Sequence, residues 1–200
     1  MNRKEQTEKF ALNALGYVVA IMGVLFLLSM LVSCETETLE PIPTYELTID
    51  SVLTEDGTQS LPIDSNGYYR LILDTLSDNK QTIRRITGNV LKDDMEPTPA
   101  ELVEWESSHN WVTGDGDTSY VIRRIINALG QWVVVDTIQL NIPSGLIVPT
   151  VNSSSYSGTG GEINTMIAPI YEMKGDTMTV TARMWTRYET YYDTLKVILE

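Results

Sequence analysis

The sequence predicts an all-β fold, a sandwich or barrel, and three observations carry that expectation. From Tyr45 onward apolar residues recur with a period of two, turn-forming residues interrupt the runs at short intervals, and nothing after Cys34 has a helical period. Short alternating strands with frequent turns belong to layered β architectures rather than to α/β enzyme folds.

The individual strands follow in order. In Tyr45-Glu46-Leu47-Thr48-Ile49-Asp50, the side chains of Tyr45, Leu47 and Ile49 share one face. Leu102-Val103-Glu104-Trp105-Glu106 alternates again, with both carboxylates outward. Gln131 to Ile142 is long and rich in Val and Ile, so it is expected to cross the middle of a sheet. Thr177 to Trp185 is the clearest case: Met178, Val180, Ala182 and Met184 face the core, and the intervening Thr and Arg side chains face water. Leu195, Val197 and Leu199 close the chain in the same way. Turns are expected at Asp56-Gly57, Asn66-Gly67, Ser77-Asp78-Asn79, Gly88-Asn89, Asp115-Gly116, Leu129-Gly130 and Lys174-Gly175-Asp176. Lys92 to Ala100 and Val151 to Gly161 read as loops, and neither is long enough to separate two domains.

The closing segment, from the Gly175-Asp176-Thr177 turn through a Thr-alternating strand to Leu195-Lys196-Val197, resembles the final hairpin of an immunoglobulin-like domain. The resemblance covers about one-sixth of residues 45–200 and implies a single immunoglobulin-like β-sandwich over them. It lacks the antibody-type cysteine pair. A lipocalin-like barrel with Val133, Val135 and Ile138 lining its interior is the alternative.

Composition narrows the function classes. The 200 residues include 14 Lys+Arg and 27 Asp+Glu, for a net charge of -13. With no basic cluster, such a chain repels phosphate backbones, and nucleic acid is not an expected partner. One Cys and one His build neither a disulfide nor a thiolate or multi-histidine metal site. No cofactor is expected. An enzyme is not expected either, because no nucleophile, base and orienter come together in the sequence.

The N-terminus reads as an address. Arg3, Lys4 and Lys9 precede an uncharged apolar run from Ala14 to Ser33 that ends in Leu31-Val32-Ser33-Cys34. This tetrapeptide resembles a bacterial lipoprotein box, and the only Cys of the chain occupies the position the box requires. The resemblance implies a signal peptide over 1–33, cleavage by signal peptidase II, and a diacylglycerol on Cys34 that anchors the protein in the outer membrane of a Gram-negative-type bacterium. Residues 34–44, with Glu35, Glu37, Glu40 and Pro41-Ile42-Pro43, form an acidic, stiffened tether. Cys34-Glu35-Thr36-Glu37-Thr38 also resembles the tether of surface-exposed lipoproteins, so display at the surface and a periplasm-facing position both stay open. Cleavage removes three basic and two acidic side chains, which takes the net charge to -14.

Candidate chemistry is sparse. Asp115-Gly116-Asp117 offers hard oxygen ligands to Ca²⁺ but lacks the further carboxylates of a complete loop, and a tight turn is the preferred reading. His109, between Trp105 and Trp111, reads as a structural histidine. Glu104 and Glu106 form only a weak carboxylate pair on one strand face. Gly158-Thr159-Gly160-Gly161 lacks the Lys-Ser/Thr ending of a phosphate loop. The aromatic residues are more informative. Trp105 and Trp132 are expected in the core, whereas Trp185 is out of phase with Met184 and so faces outward, near Tyr188, Tyr191 and Tyr192. Those four form the candidate ligand surface. The expected function is therefore a non-enzymatic, lipid-anchored binding or assembly module of the cell envelope, with a glycan or an envelope protein as partner. The alternative is a carrier of a small apolar ligand.

Overall fold

The computed structural model describes residues 21–24, 41–75, 81–93, 95–113, 118–140 and 149–200. The chain divides into two units, Met1–Pro41 and Ile42–Glu200. In the first, residues 21–24 are helical. No helix among the described residues is long and apolar enough to cross a membrane. Cys34 and most of the tether lie outside the described residues, as do the turns expected at Ser77-Asp78-Asn79 and Asp115-Gly116.

The second unit is all β. Its strands are β1 (Tyr45–Leu53), β2 (Tyr69–Leu71), β3 (Arg84–Lys92), β4 (Glu96–Pro97), β5 (Leu102–Ser107), β6 (His109–Thr113), β7 (Ser119–Ile126), β8 (Trp132–Leu140), β9 (Ser154–Tyr156), β10 (Glu162–Ile167), β11 (Thr177–Trp185) and β12 (Thr190–Leu199). One sheet runs β1-β3-β10 with β4 paired to β3, and a second runs β2-β12-β11-β5-β9. These two layers enclose the core. Val52, Ile86 and Val90 of the first meet Trp105, Met178, Val180, Ala182, Met184, Val197 and Leu199 of the second, and all are buried. The inward faces of β11 and β12 are those the alternation predicts.

A third sheet, β6-β7-β8, grows out of the second. After Ser107 the chain leaves the five-stranded sheet at Ser108 and continues into β6, so one extended segment serves two sheets. The Ser108 N–H donates to Thr179 O at 2.8 Å, the Thr179 N–H donates to Ser108 Oγ at 2.8 Å, and the Arg124 N–H donates to Ser108 O at 2.7 Å. The backbone at the switch is thus fully paired, as a buried corner requires.

Several expectations are corrected. β8 is the edge of a three-stranded sheet rather than the middle of a large one, and Val133, Val134 and Val135 on it are exposed. A barrel interior lined by Val133 and Val135 is excluded by that exposure and by the separate sheets; Ile138 alone packs partly against the core. Gly88 is not a turn residue. It lies inside β3 opposite Ile49, where a Cβ would run into the Thr48 carbonyl oxygen, so close backbone approach explains the glycine. The two loop segments hold the edge strands β4 and β9, which are too short to show a period. The alternation in β1 also shifts phase: a bulge between Ile49 and Ser51 puts Val52 into the core. Asp193, on the core-facing side of β12, accepts the Ile49 N–H at 2.7 Å, and the Tyr69 hydroxyl donates to Asp50 O at 3.0 Å.

Candidate functional site

The outward face of the five-stranded sheet carries the candidate site, and strand register orders its side chains into rows. Ser154 pairs Glu104, Glu104 pairs Arg183, and Arg183 pairs Tyr192, which gives one polar row across β9, β5, β11 and β12. Tyr156 pairs Leu102. One residue beyond the Val103–Met184 pair, Leu102 and Trp185 continue that row, and Trp185 pairs Thr190. Each of these residues is on the outer face because its neighbours in sequence, such as Val103 and Met184, are buried.

At the open end of this face Trp185, Arg183 and Glu104 form one group. The Arg183 guanidinium lies over the Trp185 ring, 4.9 Å from its centroid. Glu104 Oε2 accepts from Arg183 Nη2 at 2.9 Å and from Trp185 Nε1 at 3.1 Å. These hydrogen bonds, the indole one first, hold the Glu104 carboxyl below its ordinary range. Trp185 remains 57% exposed and Tyr192 72%, so the edge of the indole is tied down while much of its surface stays open to water. A fixed aromatic ring with a guanidinium over one face and a carboxylate at its edge suits a polyol: C–H groups stack on the exposed face away from Arg183, and hydroxyls donate to Glu104 and accept from Arg183.

At the other end the β6-β7-β8 sheet folds over the same face and a cleft of about 330 Å³ lies beneath it, lined among others by His109, Arg123, Arg124, Trp132, Asp176 and Thr179. A second group of the same composition sits here. Trp132 Nε1 donates to Glu106 Oε2 at 2.7 Å, and Arg124 lies over the Trp132 ring at 5.0 Å. Arg124 Nη2 also donates to Ser107 O at 2.6 Å.

His109 is buried at the cleft's inner wall. Burial pushes its imidazole below the ordinary value, against the pull of Asp176, so the ring is neutral at neutral pH. The network then assigns the tautomer: the Ser108 hydroxyl donates to Nδ1 at 2.8 Å, and Nε2–H donates to Asp176 Oδ2 at 3.2 Å. Asp176 Oδ2 also accepts from Arg123 Nη2 at 2.6 Å. Ser108 Oγ is buried and already accepts the Thr179 amide, so the Ser–His contact locks the strand switch.

The structure sorts the aromatic residues named from the sequence. Trp105 is in the core at 2% exposure, with its Nε1 donating to Ser155 Oγ at 2.8 Å. Trp132 is not a core residue; β8 lies outside the sandwich, and the indole packs on Arg124 in the cleft. Trp185 and Tyr192 share the open face, and Tyr188 is exposed in the β11–β12 turn beneath Arg187. Tyr191 does not join them. It pairs Met184 on the core side and meets Tyr45 with ring centroids 5.7 Å apart. The phase of Leu195, Val197 and Leu199 already places Tyr191 with them, so this was legible in the sequence. Arg183, Leu102 and Tyr156 were missed, because their roles depend on cross-strand register.

Other candidates resolve differently. Glu104 and Glu106 are each committed to a tryptophan. The Gly158–Gly161 turn does not cradle an external anion, since Gly160 N–H donates to Glu162 Oε2 at 2.8 Å and that carboxylate fills the space beside Gly158. Asp115 and Asp117 lie outside the described residues. Among the described residues, no three His, Cys, Asp or Glu side chains gather as a metal site. A comparison with protein-family models finds no match, and a comparison with curated proteins finds none.

Proposed function

We propose that this chain is an exported, lipid-anchored β-sandwich that works as a non-enzymatic glycan-binding module of the cell envelope, held at the outer membrane of a Gram-negative-type bacterium through Cys34. The single observation that carries the binding half is the open Trp185–Arg183–Glu104 group: an indole fixed by a carboxylate and a guanidinium yet more than half exposed. A large aromatic ring left on a sheet face, with hydrogen-bonding groups already oriented beside it, is the arrangement a binding surface needs. The anchoring half is supported by the lipoprotein box and by the position of the chain's only Cys. The immunoglobulin-like reading rests on the β11–β12 hairpin and belongs to the same proposal.

Titration calorimetry of the full chain in detergent against a panel of neutral oligosaccharides tests binding. The expected result is saturable binding that Trp185→Ala removes; no heat with any glycan overturns the binding half. Intact-mass analysis tests anchoring, with a diacylglyceryl adduct expected on Cys34 and lost in Cys34→Ser. An unmodified thiol in membrane-extracted protein overturns it.

A further inference from the structure

The rows on the outer face say more about the ligand than that it is a glycan. Tyr156, Leu102 and Trp185 form one line on three adjacent strands, β9, β5 and β11, and all three are exposed. Neighbouring strands are spaced by about 4.8 Å, so Trp185 and Tyr156 are separated by about 10 Å with Leu102 between them. The ring-to-ring repeat of an extended hexopyranose chain is close to one strand spacing. A chain laid across the strands therefore places its first ring on Trp185, its second over the Leu102 methyls and its third on Tyr156.

The neighbouring row supplies the polar half. Ser154, Glu104, Arg183 and Tyr192 run parallel to the apolar line and present a hydroxyl, a carboxylate, a guanidinium and a phenol along one edge of such a chain. Glu104 and Arg183 neutralise one another at 2.9 Å, so this pair offers no net charge to an ionic ligand. The chain's own charge of -13 further disfavours polyanions. The covered end is closed to this ligand, because the β6-β7-β8 sheet lies over that part of the face.

Resting on the glycan reading above, we infer that the ligand is a neutral, extended glycan at least three rings long, bound across the strands, and that Tyr156 and Leu102 set the length requirement.

The test is calorimetry of the full chain with cello-, xylo- and manno-oligosaccharides of one to six rings, and with maltohexaose as a coiled control. Affinity in at least one extended series is expected to rise about tenfold between two and three rings, one aromatic contact's worth, and then to level off. Tyr156→Ala is expected to erase that step while leaving the disaccharide unchanged, and Trp185→Ala to remove binding at every length. Both side chains are exposed, and unchanged circular dichroism checks that the variants fold. Glucose binding as tightly as the hexaoses, maltohexaose matching the extended series, or Tyr156→Ala weakening all lengths alike overturns the multi-ring inference and leaves a glycan site standing. Absence of binding at every length overturns both.

Discussion

Trp185–Arg183–Glu104 and Trp132–Arg124–Glu106 use the same three residue types, but the first lies wholly on the five-stranded sheet, whereas the second joins Glu106 of that sheet to Trp132 and Arg124 of the third. In each, an arginine lies about 5 Å from the centre of an indole ring whose N–H donates to a glutamate. The first looks into water. The second closes under β6-β7-β8, with Ile125, Ile126 and Val135 lining the same cleft. Like residues thus end in two settings: one group stays open to water, and the other lies between two sheets. Composition is the same in both, and the neighbouring layer decides which group stays exposed.

Substitutions at the two tryptophans are the strongest way to break this comparison. Trp132→Ala removes the ring that seats the third sheet and is expected to cost about 2 kcal/mol in urea unfolding, below the range for a fully buried tryptophan. Trp185→Ala is expected to change stability by less than about 0.5 kcal/mol while removing oligosaccharide binding. The reverse order would show that the open group, not the covered one, holds the fold. A smaller loss, about 1–2 kcal/mol, is expected for Asp176→Asn, which leaves Arg123 and His109 with a weaker acceptor at the covered end.

Acid separates the two ends further. His109 has a folded pKa below its ordinary 6.5, so once the pH falls below that value the unfolded chain takes up a proton the folded chain does not, and stability is lost toward the folded pKa. Glu104 is held below its ordinary 4.5, so its contribution is complete above that value and disappears only as the pH falls through the lower, folded pKa. Unfolding midpoints are therefore expected to drop between pH 6.5 and 4.5 in the wild type and to stay level in His109→Gln, while oligosaccharide affinity holds across that window. A drop that persists in the variant assigns the slope to other groups. The smallest effect is expected at Tyr188, exposed in a turn: Tyr188→Ala is expected to change affinity less than about twofold and stability less than about 0.5 kcal/mol.

Much of the fold was legible before any coordinates. β11 and β12 have one buried and one wet face, and the period of two reports that directly. β8 misled for the same physical reason. A run of β-branched residues signals a strand, but whether that strand lies inside a sandwich or on a projecting sheet depends on partners distant in sequence. Gly88 misled similarly, since a glycine chosen for backbone clearance and one chosen for a turn are the same letter. At the site, the phase of β11 was enough to turn Trp185 outward. Tyr191 is close to Trp185 in sequence, yet alternation along β12 turns it to the core side with Leu195 and Val197.

Three features are local to the chain: which residues form strands, which face of each is apolar, and that Trp185 points away from the core. These follow from the alternation of side chains along a pleated backbone, which needs no partner strand. Which residues stand beside Trp185 depends on how the strands assemble. Glu104 is 81 positions away along the chain and Tyr156 comes from a three-residue edge strand, so their meeting depends on register across β9, β5 and β11. The tertiary structure likewise decided that one of two like-built tryptophan groups is covered and the other open, because cover comes from a sheet that leaves the sandwich at Ser108 and returns over only one end of the face.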